Sequence, residues 1–299
     1  MKKTSLATVA AQKTYIYYYW KIYNNILKEF TTRAISGILF VIVIILAAQH
    51  KLAFFGILFL FGLLTLIEFN RLIQKRNTIS YFIFVLIFTL FGLWDEVFQT
   101  DKGLDEASQI LQVLSIFVLI FLIRDLFSKK RLPKLLSNRY INTTFYISSG
   151  MIFLFLIANN FGDYNPHMIL GMFALIWIND SSAYLVGKNF GRQKLFESIS
   201  PKKTIEGFLG GVFFSALGSY LIYSYTNDLK FSYWLILSVL VSVFGTIGDL
   251  LESKYKRQAE VKDSGSLIPG HGGILDRMDS AIVAAPFVYL FLRILNYVS

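Results

Sequence analysis

The sequence predicts an all-α, polytopic membrane protein with about nine transmembrane helices and a cytoplasmic N-terminus. Three observations carry this. Of 299 residues, 55% are hydrophobic and 17% aromatic, with a mean hydropathy of +0.55. Only 16% are charged, well under the roughly one quarter of soluble domains. Apolar runs close to the ~20 residues that cross a bilayer recur along the chain, separated by loops of alternating charge.

Residues 1–33 form a basic and aromatic cytoplasmic segment, with Lys2, Lys3, Lys13, Lys21, Lys28 and Arg33 around the patch Tyr15–Trp20. No apolar core and no small-residue cleavage site follow the first lysines, so this is not a signal peptide. An interfacial segment and a frayed tail are both consistent with it. Spans are then expected near 34–49, 52–69, 79–95, 108–123, 140–158, 168–187, 207–226, 232–250 and 281–298.

The loops set the orientation. The second span is followed by Arg71, Lys75 and Arg76, the fourth by Arg124, Lys129, Lys130, Arg131, Lys134 and Arg139, and the sixth by Lys188, Arg192, Lys194, Lys202 and Lys203. The loop after span three is acidic, with Asp95, Glu96, Asp101, Asp105 and Glu106 against Lys102, and the one after span five has no Lys or Arg. Positive loops stay in the cytoplasm. The net charge of +10 is therefore a topology and headgroup signal, and no nucleic-acid partner is expected. Cysteine is absent, which excludes disulfides, thiolate metal sites and a cysteine nucleophile.

Composition shifts near Asn159, from Phe, Leu and Ile upstream to Gly, Ser and Asp downstream. Residues 34–158 read as a transmembrane scaffold and 159–299 as a catalytic half. Its loops 188–206 and 251–280 fall on the same cytoplasmic face and can share one site.

The densest chemistry lies between Gly248 and Asp279. Asp249, Glu252, Glu260, Asp263, Asp276 and Asp279 alternate there with Lys254, Lys256, Arg257, Lys262, His271 and Arg277. Carboxylates hold a divalent cation while Lys and Arg hold phosphate oxygens, so the expected guest is a polyanion with its metal. The run Ser253, Lys256–Arg257, Lys262–Asp263, Gly265, Pro269, His271–Gly272–Gly273, Asp276–Arg277 and Asp279 resembles the signature of the phosphatidate cytidylyltransferases, or CDP-diacylglycerol synthases, without departure along its length. The resemblance implies a membrane enzyme that joins CTP to phosphatidate, giving CDP-diacylglycerol and pyrophosphate.

Each residue has a plainer reading beside the functional one. Asp180 shares a small or polar face with Ala183, Tyr184 and Gly187. An ionisable group within a span is costly and points to function, although an interfacial helix end would also accommodate it. The family carries a similar Asp-x-x-Ala-Tyr run, which favours substrate binding. Ser200 can cap a helix beginning at Pro201, placing Lys202 and Lys203 in a first turn suited to phosphate; ordinary capping with surface lysines is the rival. The family's Ser-Pro-x-Lys-Thr segment favours binding here too.

Gly207, Gly211, Ser215 and Gly218, and then Ser238, Ser242, Gly245 and Asp249, form small-residue stripes whose direct role is helix packing. Asp276 and Asp279 share a helix face. Dipole stabilisation explains one of them, whereas Mg²⁺ bound with Asp249 explains all three, a second cation being allowed. His271 is expected as one more donor beside glycines whose backbone N–H groups line an anion nest. Glu68, Arg124 and Arg293 are read as snorkelling charges.

The expected catalytic set is thus Asp249, Asp276, Asp279, Lys256 and Arg257. Substrate contacts are assigned to Asp180, Lys202, Lys203, Lys262, Asp263, His271, Gly272, Gly273 and Arg277. Partners are CTP, phosphatidate and the bilayer, and a homodimer is admissible. A CTP-dependent kinase of a polyprenol-type lipid would use similar charges, but would need a base and would release CDP. A transporter would spread its charges across the bilayer, whereas here they cluster at one face.

Overall fold

The computed structural model describes residues 28, 31–74, 78–99, 103–128, 139–160 and 163–298. The aromatic patch Tyr15–Trp20 and the loop charges Lys75, Arg76, Asp101, Lys102, Lys129, Lys130, Arg131 and Lys134 lie outside the described residues. The chain runs through α1 (Thr31–Ala48), α2 (Lys51–Leu72), α3 (Thr78–Gly92), α4 (Trp94–Phe98) and α5 (Leu104–Leu126). Next come α6 (Arg139–Asn142), a π-helical turn (Thr143–Ser148) and α7 (Ser149–Ala158), which together make one crossing. The rest is α8 (Pro166–Phe190), α9 (Ile205–Thr226), α10 (Phe231–Gln258) and α11 (Leu275–Val298). Among the described residues, two small antiparallel ribbons interrupt the helices, β1 (Asn159–Asn160) with β2 (Asp163–Tyr164) and β3 (Lys194–Phe196) with β4 (Ser200–Thr204).

Among the described residues, eight helices are long and apolar enough to span a bilayer, while α3 is apolar but only 15 residues long. A count of nine crossings therefore depends on α3. Helix α7 is the hub, with all ten of its residues buried. The π turn before it is held by Ser148 Oγ, which donates to the Thr143 carbonyl five residues back (2.8 Å). Phenylalanines of α2, α3 and α7 interlock around it: the Phe55 ring meets Phe88 at 5.2 Å and Phe155 edge-on at 5.7 Å.

In the second half, small residues decide how closely helices approach. The expected stripe of α9, Gly207, Gly211, Ser215 and Gly218, is buried. A Cβ at Gly211 would lie 2.6 Å from Asn179 Oδ1 of α8. Ser238, Ser242 and Gly245 of α10 are likewise buried. Phe244 of α10 stacks on Phe287 of α11, with centroids 3.6 Å apart.

Two helices outrun the spans read from hydropathy. Helix α10 continues to Gln258 and α11 begins at Leu275, so polar residues expected in loops are helical. At 28 residues, α10 is about 42 Å long, beyond the ~30 Å hydrocarbon core. Its charged last turns are stabilised by partners within the protein. Arg293, read as snorkelling, is instead 4% exposed and paired with Asp105 at 2.9 Å. Arg124 keeps a half-exposed side chain beside Asp125, consistent with its reading.

Candidate active site

The loop between α8 and α9 is a hairpin rather than a helix start. Ser200 and Pro201 belong to β4, and α9 begins at Ile205. Thr204 is its N-cap, the Oγ1 accepting from Gly207 N at 3.1 Å. Thr204 occupies that role because its extended backbone ends the ribbon, and Gly207 leaves room for α8 behind it. The expected cap at Ser200 is therefore corrected by four residues. Lys202 and Lys203 precede the helix on the ribbon, Lys202 exposed and Lys203 half-buried.

This hairpin meets the end of α10. Lys203 Nζ pairs with Asp249 Oδ2 at 2.6 Å, and Arg257 Nε approaches the Ile199 carbonyl at 3.4 Å. The hairpin and the end of α10 are thus in contact. Asp249 also accepts from Ser253 Oγ at 3.2 Å. Asp180 and Asp279 lie within electrostatic reach of Asp249 and of each other, with Lys203 and Arg277 opposing the charge at Asp180. Asp279 is buried, its Oδ1 accepting from Ser280 N at 2.8 Å. Close approach of α10 and α11 puts it there: a Cβ at Gly248 would meet the Asp279 carbonyl oxygen at 2.4 Å.

Asp276 belongs to a different network. Its Oδ1 accepts from Lys256 Nζ at 2.7 Å. Its Oδ2 accepts from Gly273 N at 2.7 Å and from both Ser264 N and Ser264 Oγ at 2.9 Å. Lys256 also pairs with the buried Glu252 at 2.5 Å. Of the expected metal trio, Asp276 is held by Lys256, Ser264 and Gly273, whereas Asp249 is held by Lys203 and Ser253. Among the described residues, no three His, Asp or Glu side chains are grouped to hold an ion. Asp249 and Asp279, beside Asp180, do fit a Mg²⁺ ion that takes one or two carboxylates and completes its shell with substrate phosphate and water.

The glycine-rich turn also differs from expectation. Gly270 and Gly272 adopt φ of +75° and +85°, a region nearly closed to other residues. The amides that follow do line an anion nest, but its anions are the protein's own. Gly273 N serves Asp276, while Ile274 N and Leu275 N serve Glu68. Glu68, 5% exposed, is therefore no snorkelling charge.

His271 Nδ1 lies 2.7 Å from Ser36 Oγ of α1. Burial, with the positive charges of Arg277 and Arg33, holds its pKa below the ordinary imidazole value. Lys262, Asp263 and Arg277 are exposed at the rim, and Asp263 Cβ lies against Gly272. Sequence reasoning missed Glu68 and Ser36 as neighbours of the site, and gave Glu252, within the charged stretch, no role. Lys254, named in the same stretch without a role, donates from Nζ to the carbonyls of Asp125, Leu126 and Ser128 at the end of α5. A carboxylate inside an otherwise apolar span was the available signal for Glu68.

The helical bundle gathers carboxylates, lysines and arginines at one end, a donor set that suits phosphorylated groups and a divalent cation. The comparisons give the family. The cytidylyltransferase family model matches residues 31–295, and the chain belongs to that family. A phosphatidate cytidylyltransferase of Bacillus subtilis is 34% identical over 272 residues, covering 88% of this chain and 98% of the relative. The enzyme of that name from Staphylococcus aureus is 38% identical over 188 residues, 62% of this chain and 70% of its own. One from Staphylococcus epidermidis is 33% identical over 241 residues, 79% and 90% respectively.

Proposed function

We propose that this protein transfers CMP from CTP to phosphatidate at the cytoplasmic membrane face, giving CDP-diacylglycerol and pyrophosphate. The names of its relatives support the substrates. The observation that carries the chemistry is the Lys203–Asp249 pair at 2.6 Å, which joins the two basic loops over Asp180 and Asp279.

A phosphate monoester is largely dianionic at neutral pH, its second pKa being about 6. The lipid phosphate oxygen attacks the α-phosphorus of CTP, the bond from that phosphorus to the bridging oxygen of the β-phosphate breaks, and pyrophosphate leaves. The nucleophile arrives ionised, so no side chain need act as a strong base. The protein's work is positioning and charge stabilisation. Asp249 and Asp279 would hold Mg²⁺, which when bound neutralises charge on the nucleotide phosphates. Lys203, beside Asp249, would serve a phosphate oxygen of the nucleotide. Arg277 and Lys202, at the same rim, suit the second polyanion, and Arg257 offers a planar fork.

The test is purified protein with phosphatidate, Mg²⁺ and CTP labelled at either the α- or the γ-phosphate. Alpha label should enter the lipid, with one pyrophosphate released per CMP transferred. Gamma label in the lipid, with CDP released, would overturn the reading in favour of lipid phosphorylation.

A further inference from the structure

We infer that Glu68 is a positioning residue of this site, a carboxylate from the N-terminal scaffold that fixes the Ser264–Leu275 segment in its nucleotide-binding conformation. This rests on the proposed reading of that segment as part of the nucleotide site.

Glu68 lies one turn before the end of α2, about two hundred residues away in sequence from everything it holds. Its Oε1 accepts from Ile274 N at 3.1 Å; its Oε2 accepts from Leu275 N at 2.8 Å and from Ser264 Oγ at 3.1 Å. These amides open α11, where N–H groups lack intrahelical acceptors and a negative charge is favoured. The cap that usually comes from the preceding residue here comes from another helix.

The loop is also shaped around the carboxylate. A Cβ at Gly265 would stand 2.5 Å from Glu68 Oε1, and one at Gly273 would stand 2.3 Å from Oε2. A methyl at either glycine of the charged motif would push this carboxylate out of place. Among the described residues no lysine, arginine or histidine forms an ion pair with Glu68, so hydrogen-bond donors alone offset its burial. Such a charge is costly unless fully hydrogen-bonded, which makes the loop conformation and the Glu68 position mutually dependent.

Ser264 carries the dependence onward. Its hydroxyl lies 3.1 Å from Glu68 and 2.9 Å from Asp276, and its single proton can serve only one of them at a time. Through Asp276 the same segment bears on Lys256. Glu68 touches no substrate in this reading; it sets the fraction of molecules whose loop is ready for one. If that fraction falls, the apparent affinity for nucleotide falls in proportion while turnover of the bound complex is retained.

Two variants test this, Glu68→Gln and Gly273→Ala. The first turns one acceptor into a donor facing N–H groups, and the second displaces the carboxylate while keeping its charge. Each should raise KM for CTP by about tenfold or more, with kcat within about threefold of wild type at saturating CTP. Hydrogen exchange in detergent, without ligand, should quicken across residues 264–275 and stay slow in α7. The double variant should be no worse than the worse single one, because both act at one contact.

An unchanged KM with kcat lowered in proportion to lost folded protein would show a merely structural role. Unchanged exchange at 264–275, or additive effects in the double variant, would also overturn the inference. Should Glu68→Gln fail to insert, Gly273→Ala decides on the same readouts. Wild-type protein that makes no lipid-linked CMP would fail the functional reading alone, since exchange still reports whether Glu68 holds the loop.

Discussion

Asp249 and Asp276, both expected at the metal, meet different partners in space, and the difference is measurable. Asp249 faces Lys203 and the other carboxylates, whereas Asp276 is consumed by Lys256, Ser264 and Gly273. Asp249→Asn should lower turnover by at least about 100-fold and raise the Mg²⁺ concentration needed for residual activity, with little change in thermal unfolding. Asp276→Asn should cost about 3 kcal/mol of stability, because it leaves Lys256 half-buried beside a lost partner, while the Mg²⁺ dependence of the remaining activity stays put. Titrating activity against Mg²⁺ alongside a melting curve in detergent separates the two. The sequence placed both residues in one metal set because Asp276 shares a helix face with Asp279 and Asp249 ends a small-residue stripe that turns it toward protein. What tells them apart is the donor geometry of a folded loop, which spacing does not encode.

At the scale of elements, the stripes of small residues were the most legible feature. Gly207, Gly211, Ser215 and Gly218 recur at helical spacing, and the structure buries all four against α8. Without a hydrophobic drive between helices in lipid, close backbone approach supplies the contact. Gly211→Val should therefore lower stability by about 1–3 kcal/mol through overpacking, since the new Cβ meets Asn179 at 2.6 Å. Gly56→Ala, with nothing within 4 Å of the new methyl, should leave the melting temperature unchanged. Helix ends were less legible. Hydropathy stops where charges begin, but α10 and α11 continue because Asp249, Glu252, Lys254 and Lys256 find partners inside the protein. The start of α9 shifted for a related reason: β3 pairs with β4 and holds Pro201 extended, which a local capping argument does not foresee.

Across the whole molecule, the site end of the bundle collects the start of α1 through Ser36, the ends of α2 and α5 through Glu68 and Lys254, and the α8–α9 hairpin through Lys203. The N-terminal half is thus more than a platform, because it supplies residues that grip the charged segments of the C-terminal half. If the basic loops lie in the cytoplasm, every one of these ends lies there too, and the α9–α10 turn lies outside. The absence of native cysteine makes this directly testable. Lys202→Cys and Leu267→Cys, both at exposed positions beside the site, should react with an impermeant maleimide only in inverted vesicles. Lys230→Cys, exposed where α10 begins, should react only in intact cells. Labelling of Lys202→Cys and Lys230→Cys from the same side would mean that α9 does not cross the membrane. Labelling of Leu267→Cys from outside would put the site beyond reach of cytoplasmic CTP, and the proposed reaction could not take its nucleotide from that pool.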